Sequence, residues 1–192
     1  MNVSEKWNRI FSHSDTKSIS ANEVLEQNSH LLPKSAKALD LACGLGGNAL
    51  LLAEYGLMTH AWDISSVAIE KLEQISSDRQ LSVKTQVRDI EKRPPEEGQF
   101  DVITVGNFLN RSIFSNLIDS LRVDGLLFYQ TFVREKVDEV GPSNLDYLLK
   151  TNELLHLCKS LKILVYREEA KQGDLAKGWR NQAMIVAQKS SY

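Results

Sequence analysis

Asp40-Leu41-Ala42-Cys43-Gly44-Leu45-Gly46-Gly47-Asn48 decides the fold, because an apolar strand-like run ends there in a glycine-rich turn and a helix pattern starts at once. Open α/β sheets hold adenosine-bearing cofactors at such a turn. Gly44 and Gly46 let the backbone approach a ligand with no Cβ in the way, and a helix from Asn48 to Glu54 directs free N–H groups at the same place. Nineteen positions after Gly44 (63 − 44), a second run, Leu57-Met58-Thr59-His60-Ala61-Trp62-Asp63, ends in a carboxylate suited to two ribose hydroxyls.

The turn alone leaves the cofactor open, since Gly44 to Ala49 also satisfies the dinucleotide pattern G-x-G-x-x-A. Three features favour S-adenosylmethionine over a nicotinamide cofactor. Asp40 stands four residues before Gly44, where a carboxylate orients the turn or meets a cationic amino-acid group. A third run, Leu81 to Val87, leads into Arg88-Asp89-Ile90, which offers Asp89 to an adenine amino group and Ile90 to its face. No second nucleotide-binding half or catalytic domain is expected within these 192 residues.

Composition bounds the rest. A chain of 192 residues with 42% hydrophobic and 25% charged residues suits one domain, expected as 1–192 with a cap at 1–35 and a core at 36–189. The net charge of −2 gives no reason to expect nucleic acid as a partner, and no run approaches the length of a membrane span. Cys43 and Cys158 are too few for a disulfide framework, and the polar N-terminus lacks a secretory segment, so the expected compartment is the cytoplasm. Cys43 reads as a small turn-packing residue. His13, His30, His60 and His156 lack metal-ligand spacing, so no metal is expected; His60 reads as a packed strand residue.

Strand and helix patterns alternate almost throughout, which predicts an α/β, seven-stranded, mostly parallel Rossmann-like sheet with helices on both faces. The strands are expected near 36–42, 57–63, 81–87, 100–105, 126–132, 162–166 and 183–187. Gly56 is expected to stop the first core helix. Ser65 or Ser66 is expected to open the second, with Glu70 in capping range and Ser76 to Gln80 closing it. A further helix is expected over 113–121, and Asp124-Gly125 is expected to turn the chain into strand five. Two segments fall outside this count and are candidate lids. One is the N-terminus, with Trp7 and Phe11 one helical turn apart; the other is 133–150, around Gly141-Pro142.

These residues resemble the small class I methyltransferases, and within them the bacterial tellurite-resistance methyltransferase family. The turn from Asp40 to Asn48, Ala61-Trp62-Asp63, and Phe108-Leu109-Asn110-Arg111 look like that family's versions. Tyr129-Gln130-Thr131-Phe132, Gly141-Pro142 and Leu148 to Leu154 are similar to related bacterial sequences. The resemblance covers about residues 36–189. It implies a last strand antiparallel to the others, S-adenosylmethionine across the ends of strands one, two and four, and a small-molecule methyl acceptor. It also implies that Ala42 stands where the superfamily usually has glycine.

The candidate cofactor set is therefore Asp40, Ala42, Gly44, Gly46, Asp63, Ile64, Asp89, Ile90 and Asn107. Asn110, Arg111, Tyr147 and Arg180 are the candidate acceptor-side residues, with a helix-entry ion pair as the alternative for Arg111. No catalytic acid or base is assigned. An ionised thiol, selenium or tellurium acceptor needs none. Two other readings stay open: a non-catalytic S-adenosylmethionine-binding regulatory domain, and a nicotinamide-dependent oxidoreductase. Oligomeric state is not legible in the sequence.

Overall fold

The structure is a computed structural model describing residues 2–16 and 19–191; residues 1, 17, 18 and 192 of the expected domain lie outside the described residues. Seven strands form one sheet: β1 (Lys37–Leu41), β2 (Met58–Asp63), β3 (Val83–Val87), β4 (Phe100–Gly106), β5 (Leu121–Phe132), β6 (Lys162–Glu168) and β7 (Gln182–Gln188). Their order is β3-β2-β1-β4-β5-β7-β6. β7 runs antiparallel to both β5 and β6, while the other neighbours are parallel. This is the fold class expected from the alternating pattern.

The central strands are covered on both faces, which is why they read as nearly unbroken apolar runs. Leu39, Leu41, Ile103 and Val105 face a core shared with Leu117 of α5 (Phe114–Asp119) and Leu154 of α6 (Glu153–Leu157). Ala38, Val102 and Phe128 face the other core, with Val24 and Leu25 of α2 (Glu23–Gln27) and Leu52 of α3 (Gly47–Glu54). Neighbours such as Ala38 and Leu39 thus enter opposite cores, as the two-residue period of a strand requires. No helix among the described residues is long and apolar enough to cross a membrane.

Several local expectations shift. α4 (Ser66–Asp78) is capped by Ser65, whose hydroxyl accepts from the Ala68 N–H; Glu70 takes no part, and Ser76 to Asp78 remain helical. The helix expected over 113–121 is a 3-10 turn, Arg111–Ile113, followed by α5, which stops before Leu121 enters the sheet. Asp124-Gly125 does not precede β5 but lies inside it. Leu121 pairs with Phe100 and Leu126 with Val102, so the intervening residues bulge out of the ladder, with Asp124 at φ 64. The Asp124 N–H still bonds to the Lys189 carbonyl, and this continued pairing overrides the turn signal.

Candidate functional site

The carboxyl ends of β1 to β4 open onto a cleft of about 1020 Å³. At its floor, Ala42, Gly44 and Gly46 have φ of 55, 52 and 80, so the chain turns through three left-handed residues between β1 and α3. Only glycine adopts that region without a Cβ penalty, so Ala42 carries strain that glycine at this position avoids.

Asp40 sits beneath the turn and braces it. Oδ2 accepts from the Ala49 N–H at 3.0 Å; Oδ1 accepts from Asn48 Nδ2 at 3.3 Å and from the Thr104 hydroxyl at 3.2 Å. Burial pushes its pKa up to about 7 against these bonds, which favour the charged form, and the nearby Asp63 charge adds to the rise. Asp63 ends β2 at 6% exposure. Its Oδ2 accepts the Gly44 N–H and its Oδ1 the Ser65 N–H, both at 2.8 Å, which clamps the carboxylate between the glycine turn and the start of α4. Burial raises its pKa and the backbone donors oppose that rise. Each oxygen keeps a second lone pair for a ligand hydroxyl.

The exit of β3 forms one wall. Asp89 accepts the Glu91 N–H at 3.2 Å and pairs with Lys92 at 2.9 Å, and that pairing holds its carboxyl below the ordinary range. Val87 and Ile90 line the same wall. The Arg88 guanidinium lies 3.9 Å from the centre of the Trp62 ring. Its Nε donates to the Arg93 carbonyl and Nη2 to that of Pro94, both at 2.7 Å, so this loop is tied back on itself.

Opposite, β4 runs out through Gly106 into Asn107 and Phe108. Asn107 is left-handed at φ 56, and its N–H donates to the Gln130 carbonyl at 2.8 Å. The Tyr129 hydroxyl donates to the Phe108 carbonyl at 2.7 Å. Asn22, just before α2, presses on the Gly106 backbone, where a Cβ has no room.

Helix α1 (Val3–Ser12) roofs the cleft. Trp7 and Phe11 stack at 5.6 Å, and the Phe11 ring comes within 3.1 Å of where a Cβ on Gly44 would sit. Polar clasps hold it. The Ser4 hydroxyl donates to the Ile64 carbonyl at 3.1 Å, and Asn8 Oδ1 accepts from the Ser65 hydroxyl at 2.7 Å. Lys71 Nζ donates to the carbonyls of Phe11, Ser12 and Ser14. Of the two candidate lids, the N-terminal one lines the cleft; no residue of 133–150 does.

The structure therefore brings Asp40, Ala42, Gly44, Gly46, Asp63, Ile64, Asp89, Ile90 and Asn107 to one cleft, and leaves Asn110, Arg111, Tyr147 and Arg180 outside it. Arg111 takes the ion-pair alternative: it binds Glu153 through Nε at 2.6 Å and Nη2 at 2.9 Å and donates to the Asp146 and Leu148 carbonyls. Arg180 is spent on the carbonyls of Glu169, Ala170, Asp174 and Lys177. Asn110 accepts from Ser112 at the entry of the 3-10 turn, and Tyr147 is 51% exposed. Cys43 lines the floor, but burial and the charges of Asp40 and Asp63 push its thiol well up, which suits packing and disfavours a thiolate. His60 packs edge-on against Phe100, and its Nε2 has no protein partner among the described residues.

Sequence reasoning missed Ser20 and Asn22, which also line the cleft. The Asn22 N–H donates to Asn48 Oδ1 at 2.8 Å, and Asn48 Nδ2 returns a bond to Asn22 Oδ1 at 2.9 Å. No local periodicity announces a pair 26 positions apart.

Known proteins resemble this chain in sequence and in fold. Residues 3–188 match the family described as "Tellurite resistance protein TehB". A "Probable S-adenosyl-L-methionine-dependent methyltransferase TehB" of Haemophilus influenzae (strain 10810) is 28% identical over 182 residues, 91% of this chain. The chain spans 58% of that relative's length. The crystal structure of TehB from Haemophilus influenzae superposes with a TM-score of 0.73 at 24% identity, over 96% of this chain and 67% of that one. An S-adenosylmethionine-dependent methyltransferase from Methanosarcina mazei gives 0.68 at 18% identity, over 89% and 99%. At these identities the superpositions speak for the fold.

Proposed function

The chain belongs to the TehB family, and we propose that its cleft binds S-adenosylmethionine and passes the methyl group to a small molecule, a thiol or a chalcogen anion such as tellurite or a selenium species. The observation that carries this reading is Asp63, a buried carboxylate clamped by Gly44 and Ser65 with lone pairs left for two vicinal hydroxyls. The residues present suit such a cofactor: Val87 and Ile90 supply apolar wall for a flat ring, and Asp89, held ionised by Lys92, accepts from an exocyclic amine. The left-handed turn at Gly44 and Gly46 leaves backbone where a side chain would otherwise intrude.

When bound, S-adenosylmethionine supplies a methyl carbon already activated by the adjoining sulfonium. The protein's part is geometry. Asp63, Asp89 and the turn bound one end of the site, Asn107 and Phe108 bound the other, and Trp7 and Phe11 on α1 lie over the cleft between them. Holding reactants in line is worth about 7–11 kcal/mol of barrier. An acceptor that arrives ionised asks no side chain for proton removal.

Calorimetric titration with S-adenosylhomocysteine and, separately, NADH tests the cofactor. Micromolar binding of the first that weakens by about 1–3 kcal/mol in Asp63→Asn and Asp63→Ala supports the reading. A folded chain that binds NADH and not S-adenosylhomocysteine transfers it to an oxidoreductase. Binding without transfer of labelled methyl to any member of a thiol and chalcogen-oxyanion panel leaves the regulatory-domain alternative standing.

A further inference from the structure

The N–H of Val24, in the first turn of α2, is not capped by its own N-cap residue, because Asn22 is paired with Asn48. It donates instead to Oε1 of Gln130 on β5, at 2.8 Å. A backbone N–H can only donate, so the Gln130 atom it meets is the carbonyl oxygen and the Gln130 amide nitrogen must face the other way. That nitrogen donates to Gln182 Oε1 on β7 at 2.7 Å. Gln182 Nε2 is then directed at Asn107 Oδ1, at 2.6 Å. Three side-chain amides thus run in one polarity from the buried end of α2 to the cleft, and the Val24 backbone sets their direction.

The relay ends on a residue that is exposed but tied at both its backbone N–H and its side-chain oxygen. Asn107 is left-handed, its N–H is bonded to the Gln130 carbonyl, and its side-chain oxygen is taken by Gln182. What remains is Nδ2, a group that only donates and has no hydrogen-bond partner among the described residues. Had the amide been free to rotate, Asn107 would offer a donor or an acceptor equally well. Buried Gln130, at 4% exposure, removes that choice.

We propose that Asn107 Nδ2 is a donor-only station for an anionic oxygen or chalcogen in the cleft, and that Gln130 and Gln182 are positioning residues that set its polarity. This rests on the methyltransferase reading above. Such a station suits a carboxylate or an anionic acceptor and disfavours an ammonium or amine, whose own N–H bonds it would oppose. The same chemistry has two sources: the carboxylate of the cofactor's methionine end, or the methyl acceptor itself.

Gln182→Glu tests the polarity without removing the chain. A glutamate at 182 still accepts from Gln130 but cannot donate to Asn107, so the Asn107 amide turns its Nδ2 to the carboxylate and its oxygen to the cleft. The probes are S-adenosylhomocysteine, 5′-methylthioadenosine, which lacks the methionine carboxylate, and tellurite as acceptor. Loss of about 10- to 100-fold in S-adenosylhomocysteine affinity, with 5′-methylthioadenosine affinity kept within about twofold, assigns the station to the cofactor carboxylate. Unchanged binding of both with a rise of about tenfold or more in the KM for tellurite and little change in kcat assigns it to the acceptor. In either case Gln182→Met, which removes the relay without reversing it, has the smaller effect. The ratio of wild type to Gln182→Glu also narrows as pH falls through the ordinary glutamate range, where a protonated side chain donates again.

Equal weakening of both nucleoside probes overturns the proposal, because a polarity switch spares the ligand without the carboxylate. So does unchanged S-adenosylhomocysteine binding accompanied by an unchanged tellurite KM or by no tellurite turnover. Failure of the wild type to bind either nucleoside is a different result: it removes the methyltransferase reading itself.

Discussion

Asp40 is where burial and hydrogen bonding compete most directly. Its carboxyl is lifted from 3.8 to about 7, chiefly because ionising it under the turn takes a charge out of water. The consequence for stability has a definite sign. At low pH the folded and unfolded chains both hold the proton, and the contribution is fully present; between the two values the unfolded chain ionises first, so stability is lost as pH rises through about 7. A shift of this size corresponds to on the order of 4 kcal/mol. Unfolding of the ligand-free chain in denaturant should therefore show a decline between about pH 4 and pH 7 that flattens in Asp40→Asn. Equal slopes in the two proteins would mean that Asp40 is not the group responsible. Two residues on, Ala42 at φ 55 makes a separate prediction: Ala42→Gly relieves about 1 kcal/mol of left-handed strain, seen as a rise of about 2–4 °C in Tm with cofactor binding retained.

Among the elements, α1 depends most on what it touches. None of its residues is fully buried; Val3, Trp7 and Ile10 are exposed to between 38% and 62%, so packing alone does not hold it. The clasp from Lys71 takes up carbonyls at its last turn, where a cation also meets the negative end of the helix dipole. Lys71→Met should therefore loosen the roof and weaken S-adenosylhomocysteine binding by about two- to fivefold through faster release, measured by stopped-flow displacement. An unchanged release rate would show that α1 is no part of the closed site. The same dependence on distant partners explains what the sequence reveals and what it hides. β1, β2, β4 and the glycine turn are legible because apolar runs and glycines are local signals. The shortened α5 is not, since Arg111 is drawn to Glu153, 42 positions away. Nor is the Asp124 bulge, where turn residues persist inside a strand because Leu121 and Leu126 both find partners on β4. Asp63 and Asp89 stand out by their place at strand ends, whereas Gln130 and Gln182 carry no local mark, being joined to each other and to Asn107 across 52 and 75 positions.

At the scale of the whole molecule, the sheet divides the chain into a frame and two attachments that differ in what they face. The segment 133–150 follows β5 but is tied back to the end of β5 and the start of β7. Val133 bridges Leu149, the Arg134 N–H bonds to the Leu149 carbonyl, and Asn181 Oδ1 accepts the Val137 N–H at 2.7 Å. Arg111 adds a brace from the other side through the Asp146 and Leu148 carbonyls. The N-terminal helix, by contrast, meets the body chiefly at α4 and over the cleft, with aromatic surface left for a ligand to cover. A ligand in the cleft gains its differential contacts with α1 and not with 133–150, and an equilibrium shifts only where such a difference exists. Hydrogen exchange with and without S-adenosylhomocysteine should accordingly slow at the amides of α1, the glycine turn and the exits of β3 and β4, and leave those of 133–150 unchanged. Protection spreading to 133–150 while α1 exchanges as before would reverse the assignment of the roof, and would put the acceptor pocket on the side of the sheet that carries Arg111 and Tyr147.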